Sequence, residues 1–167
     1  MDARELPRGE RGRLLGGGGL NLHDDRDWIA GSDRPGWRWR RKRIGGDLLG
    51  ASLYDLPAGE KTFPYHYEHG HEEWLLVVAG EPTLRTPDGE QALVPGDVVC
   101  FAEGERGAHQ LTGPGRVVMV STLRVPRTAV YPDSDKIRVR WAAGDQDFLH
   151  FRRGDAVDYW EGENGSS

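Results

Sequence analysis

Three of the chain's six histidines and three carboxylates crowd into the stretch Pro64-Tyr65-His66-Tyr67-Glu68-His69-Gly70-His71-Glu72-Glu73-Trp74. One more imidazole, His109, follows from a distant part of the sequence in Gly107-Ala108-His109-Gln110. Imidazole and carboxylate donors gathered this densely are the ligand types of a divalent metal site. Alternate side chains of an extended strand share a face, so His66 and Glu68 point one way and Tyr65 and Tyr67 the other. Glu73 then heads Glu73-Trp74-Leu75-Leu76-Val77-Val78-Ala79, where Glu73, Leu75, Val77 and Ala79 share a face. A carboxylate at the head of an apolar face is costly to bury unless something pairs with it, and a metal ion is one such partner.

The elements that must position these groups read as short strands. Gly70 permits a reversal between the His66 strand and the Glu73 strand, because glycine enters left-handed backbone at little cost. Leu48 to Leu56 is a strand closed by the turn Pro57-Ala58-Gly59, and Glu81 to Thr86 returns through Pro87-Asp88-Gly89 to Gln91–Val94. Pro95-Gly96-Asp97 turns into Val98–Phe101, and Arg116 to Leu123 is the clearest later strand. Val130-Tyr131 ends a strand before a polar turn, Ile137 to Trp141 resumes alternation, and Phe148 to Phe151 is another short strand in which His150 reads as a satisfied or surface histidine rather than a ligand. Regularly spaced strands with glycine turns indicate an all-β sandwich or barrel.

These residues resemble the two motifs of the cupin superfamily. The first, G-x5-H-x-H-x3-4-E-x6-G, maps onto Gly59, His66, Glu68 in place of the second histidine, Glu73 and Gly80, with one extra residue after Gly59. The second, G-x5-P-x-G-x2-H-x3-N, maps onto Gly96, Ala102 in place of proline, Gly104 and His109, with two added residues before the histidine and Gly113 where asparagine is expected. The similarity spans roughly residues 45–125. It implies an all-β, cupin-like double-stranded β-helix (jelly-roll barrel) with flexible termini. It also implies metal ligands at His66, Glu68, Glu73 and His109.

With all four bound, two carboxylates make a hard site suited to a divalent metal ion such as manganese, iron, nickel or zinc. With Glu68 turned away, His66, Glu73 and His109 form the two-histidine, one-carboxylate set of non-haem iron oxygenases, and Glu68 becomes a base beside the substrate. Pairing His69 with His71 instead puts Leu75 or Leu76 at the acidic position and loses Gly80, so these two histidines read as part of a polar surface loop. The resemblance implies a small-molecule enzyme of oxygenase, isomerase or decarboxylase type acting on an oxygen-rich organic substrate. A non-catalytic small-molecule-binding or sensing module and a structural or dimerisation barrel are the competing functions, since one fold hosts many chemistries.

At 167 residues the chain fits one domain, over residues 21–160, between an N-terminal extension (1–20, ending in Gly16 to Gly19) and a polar tail (161–167). No run of about 18 apolar residues exists and no apolar leader precedes the domain, so a cytoplasmic protein without a membrane partner is expected. The net charge of −5 argues against general nucleic-acid binding. The basic-aromatic stretch Trp37–Ile44 reads as a charged edge strand and as the candidate contact of a homodimer. Asn21 to Gly36 reads as a loop that lays Trp28 on the domain, Cys100 as a small core residue, and Asp155 to Trp160 as an aromatic end packed onto it.

Overall fold

The computed structural model describes residues 20–141 and 148–163. Among these residues thirteen strands follow one another: β1 (Ile29–Ser32), β2 (Trp39–Gly45), β3 (Leu49–Leu56), β4 (Tyr67–His69), β5 (Glu73–Gly80), β6 (Thr83–Thr86), β7 (Gly89–Ala92), β8 (Val98–Phe101), β9 (Gln110–Thr112), β10 (Gly115–Thr122), β11 (Arg127–Tyr131), β12 (Lys136–Arg140) and β13 (Phe148–Arg152). The expected all-β jelly-roll barrel is what they form.

One layer is a six-stranded sheet in the order β1-β2-β3-β10-β5-β8. Its inward face follows from two-residue alternation: Tyr54 and Leu56, Val117 and Met119, and Leu75 and Val77 lie side by side and are buried. Facing them, Leu84, Leu93 and Leu111 complete one apolar cluster. Each fully buried aliphatic side chain contributes about 1.5–3 kcal/mol, so this cluster carries the layer-to-layer adhesion.

The facing layer comes in two pieces, a four-stranded sheet β13-β12-β11-β4 and a three-stranded sheet β7-β6-β9. An antiparallel bridge between His66 and His109 joins them. The two imidazoles predicted as ligands therefore sit at the seam of this layer.

Several expectations need correction. Asn21–Gly36 is not loop throughout: β1 lies within it and pairs with β2, which is therefore an interior strand with both edges hydrogen-bonded and no free edge for a dimer contact. Its Arg40 and Lys42, with Arg116 of β10, serve the chain itself: Trp28 is laid on the sheet as expected, with these three cations at 4.6, 4.8 and 5.0 Å from its ring. Ala79 leaves the inward face and is exposed, because a bulge sets two residues of β5 against one of β10 between Val77 and Ala79. Cys100 is exposed, since in β8 Phe101 takes the inward parity and Cys100 the outward one. Tyr159 and Trp160 meet edge to face at 4.7 Å and stand 82% and 71% exposed rather than packed onto the barrel. The N-terminal extension, apart from Leu20, and residues 164–167 of the tail lie outside the described residues.

Candidate metal centre

His66 precedes β4 and His109 precedes β9, and each accepts the other's backbone N–H, at 3.1 and 2.8 Å. Residues paired in this way project their side chains to the same face, and the two rings lie 4.8 Å apart. Glu73, the first residue of β5 in the opposite layer, points across at them. Ligand atoms of His66, Glu73 and His109 all lie within 4.8 Å of one another, and both histidines are buried.

Each imidazole is held in a defined tautomer. His66 Nδ1 lies 2.8 Å from the Pro64 carbonyl and His109 Nδ1 lies 2.9 Å from the Gly107 carbonyl. A carbonyl only accepts, so both Nδ1 atoms carry the proton and both Nε2 lone pairs face the cluster, the usual arrangement behind a metal-binding histidine. Aromatic rings fix the orientation as well: Phe101 stacks on His109 at 3.7 Å and Tyr131 on His66 at 5.7 Å. Gly107 must be glycine here, because a Cβ would stand 1.8 Å from the Ala102 carbonyl oxygen.

The electrostatics suit a cation. Burial, and then the neighbouring His109, push the His66 pKa down to about 4, which leaves a neutral ring at neutral pH. Burial alone would raise the Glu73 carboxyl, but the imidazoles of His109 and His71 outweigh it and hold Glu73 well below the usual carboxylate range. His109 Nε2 is buried without a hydrogen-bond partner, 3.5 Å from Glu73 Oε2. A ring nitrogen facing a carboxylate oxygen in a buried site is satisfied by a cation between them, a proton or in its place a metal ion, so the residues present fit a divalent metal ion.

Glu68 stands apart from this trio. Its Oε1 accepts from Arg138 at 2.9 Å, while its buried Oε2 lies 3.3 Å from His71 Nε2. Burial and the nearby Glu73 charge raise its pKa. Of the four residues predicted as ligands, the structure groups His66, Glu73 and His109, and places Glu68 in an adjoining cluster with His71 and Glu73.

His71 is the residue that sequence reasoning misplaced. His69 is exposed as expected but ends β4 rather than lying in a loop, and His71 is 3% exposed, because Gly70, at φ +75°, turns the chain inward after β4. Arg127 Nη1 lies 2.7 Å from His71 Nδ1, and an arginine only donates, so Nδ1 accepts and the proton sits on Nε2. That Nε2–H lies 3.3 Å from Glu68 and 3.4 Å from Glu73. His71 is thus the opposite tautomer of His66 and His109 and offers the carboxylates a proton rather than offering a metal a lone pair. Arg127 and Arg138, on β11 and β12, carried no motif that could have flagged them.

A family model described as a cupin domain matches residues 52–123. The chain is similar to an L-ectoine synthase of Nocardia farcinica, 41% identical over 102 residues that cover 56% of this chain and 76% of that protein. Among solved structures it is similar to a sugar phosphate isomerase from Silicibacter pomeroyi, with a TM-score of 0.64, 28% identity, and coverage of 71% of this chain and 78% of that one. A putative sugar phosphate isomerase from Acidithiobacillus ferrooxidans shares the fold at a TM-score of 0.68 and 20% identity, over 81% of this chain and 90% of its own. No helix among the described residues is long and apolar enough to cross a membrane.

Proposed function

Because this chain belongs to the cupin superfamily, we propose that it is a divalent-metal-dependent enzyme acting on a small, oxygen-rich organic substrate. His66, Glu73 and His109 hold the metal, and Glu68 moves a proton to or from the substrate. The observation that carries the proposal is the buried, unpartnered His109 Nε2 aimed at the ionised Glu73, beside a neutral His66 of the same tautomer. Manganese, iron, nickel and zinc all suit two imidazoles and one carboxylate. A bound divalent ion supplies Lewis acidity toward a substrate oxygen.

The remaining roles belong to the chain. Phe101 and Tyr131 fix the two imidazoles, and the Pro64 and Gly107 carbonyls hold their protons away from the centre. Glu68 has a raised pKa, which brings a carboxyl nearer to the working range of a general acid or base. His71 Nε2–H, in reach of both Glu68 and Glu73, keeps the two carboxylates in place. The relatives named for L-ectoine synthesis and sugar phosphate isomerisation support small polar molecules as the substrate class.

The test is turnover. Protein loaded separately with each of the four metals is offered sugar phosphates and small amino or hydroxy carboxylic acids, and the mixtures are followed by NMR. The proposal expects conversion with one metal, and a loss of 100-fold or more in Glu68→Gln with metal content kept. Saturable binding without conversion under every metal would make the barrel a binding module instead. A homodimer is carried as a proposal too, without the Trp37–Ile44 edge, and a monomeric mass in light scattering would remove it.

A further inference from the structure

The strand register lines up a row of side chains leading out of the candidate metal centre. Glu68 on β4 pairs with Ala129 on β11, Ala129 with Arg138 on β12, and Arg138 with His150 on β13. Direct cross-strand partners share a face, so this row runs from buried Glu68 to exposed His150 on the same side as His66. The next row, about 7 Å along the strands, is Tyr131, Lys136 and Arg152. Ring contacts tie the rows to the centre: Tyr131 stacks on His66, His150 lies 6.0 Å from Tyr131, and the Lys136 ammonium lies 5.5 Å from the Tyr131 ring.

This face is strongly basic in a chain whose net charge is −5. Strands β11 to β13 contribute no carboxylate to it, and Glu68 is already engaged by Arg138. Lys136 and Arg152 stand directly opposite each other, a like-charge pairing that is unfavourable in a sheet, and among the described residues neither has a carboxylate partner. Burial, and then the charges of the neighbouring Arg138 and Lys136, hold the His150 pKa below its ordinary value. The geometry offers flexible ammonium and forked guanidinium donors around the Tyr131 and His150 rings, on a sheet whose β13 edge is exposed and whose β4 edge carries buried Glu68.

We propose that Lys136, Arg138, His150 and Arg152 form an anion subsite that takes the phosphate or carboxylate group of an organic molecule and directs the rest of it toward His66, Glu73 and His109. Its role in turnover rests on the metalloenzyme proposal; its binding of anions does not.

Inorganic phosphate and malonate are each titrated by calorimetry, at low ionic strength, into the full-length metal-free protein. Saturable binding of either is expected, weakened at least tenfold in a Lys136→Gln/Arg152→Gln variant and unchanged in Arg34→Gln, an exposed arginine between β1 and β2. The partly exposed Lys136 and the exposed Arg152 are chosen because Arg138→Gln strips a buried carboxylate of its partner and endangers folding. Preference for phosphate or for malonate identifies the group. Binding of neither anion, equal binding by the double variant, or equal weakening in Arg34→Gln overturns the subsite. Absent metal with intact anion binding overturns the metalloenzyme proposal alone, and the converse result overturns the subsite alone.

Discussion

His66 and His109 are backbone partners as well as neighbours in the candidate metal centre: they exchange both hydrogen bonds of an antiparallel pair, and that pair joins the two pieces of one barrel layer. The two imidazoles are thus fixed by the same bonds that close the layer, before any ion arrives. A site held in this way keeps its geometry when single contacts around it are altered.

His71 holds carboxylates and does not ligate. His71→Ala is expected to keep the metal stoichiometry while weakening affinity about 10- to 100-fold, the usual range for a group that orients ligands. His71→Gln, whose amide N–H can replace the lost donor, should recover part of that affinity. Chelator competition measures both; a fall in stoichiometry to that of a ligand variant would make His71 a ligand.

Glu68→Gln should retain the metal of the wild type, because Glu68 faces Arg138 and His71 rather than the lone pairs of His66 and His109. Elemental analysis of the purified variant decides it. Loss of metal in Glu68→Gln would place four ligands in the centre.

The Gly107 carbonyl sets the His109 tautomer, and no space exists for a side chain there. Gly107→Ala forces the backbone away from Ala102 and should cost about 1–3 kcal/mol of stability, read from a urea midpoint, together with weaker metal binding. Gly59→Ala gives a contrast, since a Cβ there meets nothing within 4 Å and only its backbone, at φ +74°, is strained. It should leave metal affinity unchanged.

Acid should destabilise the metal-free protein through His66. Its folded pKa of about 4 lies below the ordinary 6.5, so between those values the unfolded chain binds a proton that the folded chain refuses. Stability therefore rises with pH across this window and is lost as pH falls through it, by at most on the order of 3 kcal/mol. Glu68 acts in the opposite sense, because its raised pKa favours the folded state while it is protonated. The His66→Gln variant isolates the term: its thermal midpoint should fall less than that of the wild type between pH 6.5 and pH 4.5, both treated with chelator.

Much of the barrel was legible because its strands are short and alternate cleanly. Val117 and Met119 announce the inner face of β10 by parity alone, and Gly70 and Gly80, at φ +75° and +79°, mark reversals that other residues resist. The grouping of His66 with Glu73 was legible for the same reason, since both lie in one local motif. Long-range register was not. His71, turned inward at Gly70, is held there because Arg127 arrives from β11 to donate to its Nδ1, and nothing near His71 in sequence announces Arg127. Cys100 lies in an apolar run that reads as core, yet β8 is the edge of its sheet and turns that parity outward. The strand that covers β2 hides among aspartates and glycines, whose composition signals a loop.

The central claim is that His66, Glu73 and His109 hold a divalent metal, and elemental analysis of purified, untagged protein tests it most directly. Wild type is compared with His66→Ala and His109→Ala after each is shown to fold by circular dichroism. Close to one metal ion per chain is expected in the wild type, and its loss in both variants. A wild type that takes up no metal even after reconstitution with manganese, iron, nickel and zinc, or variants that keep it, would mean that His66, Glu73 and His109 are not a metal centre.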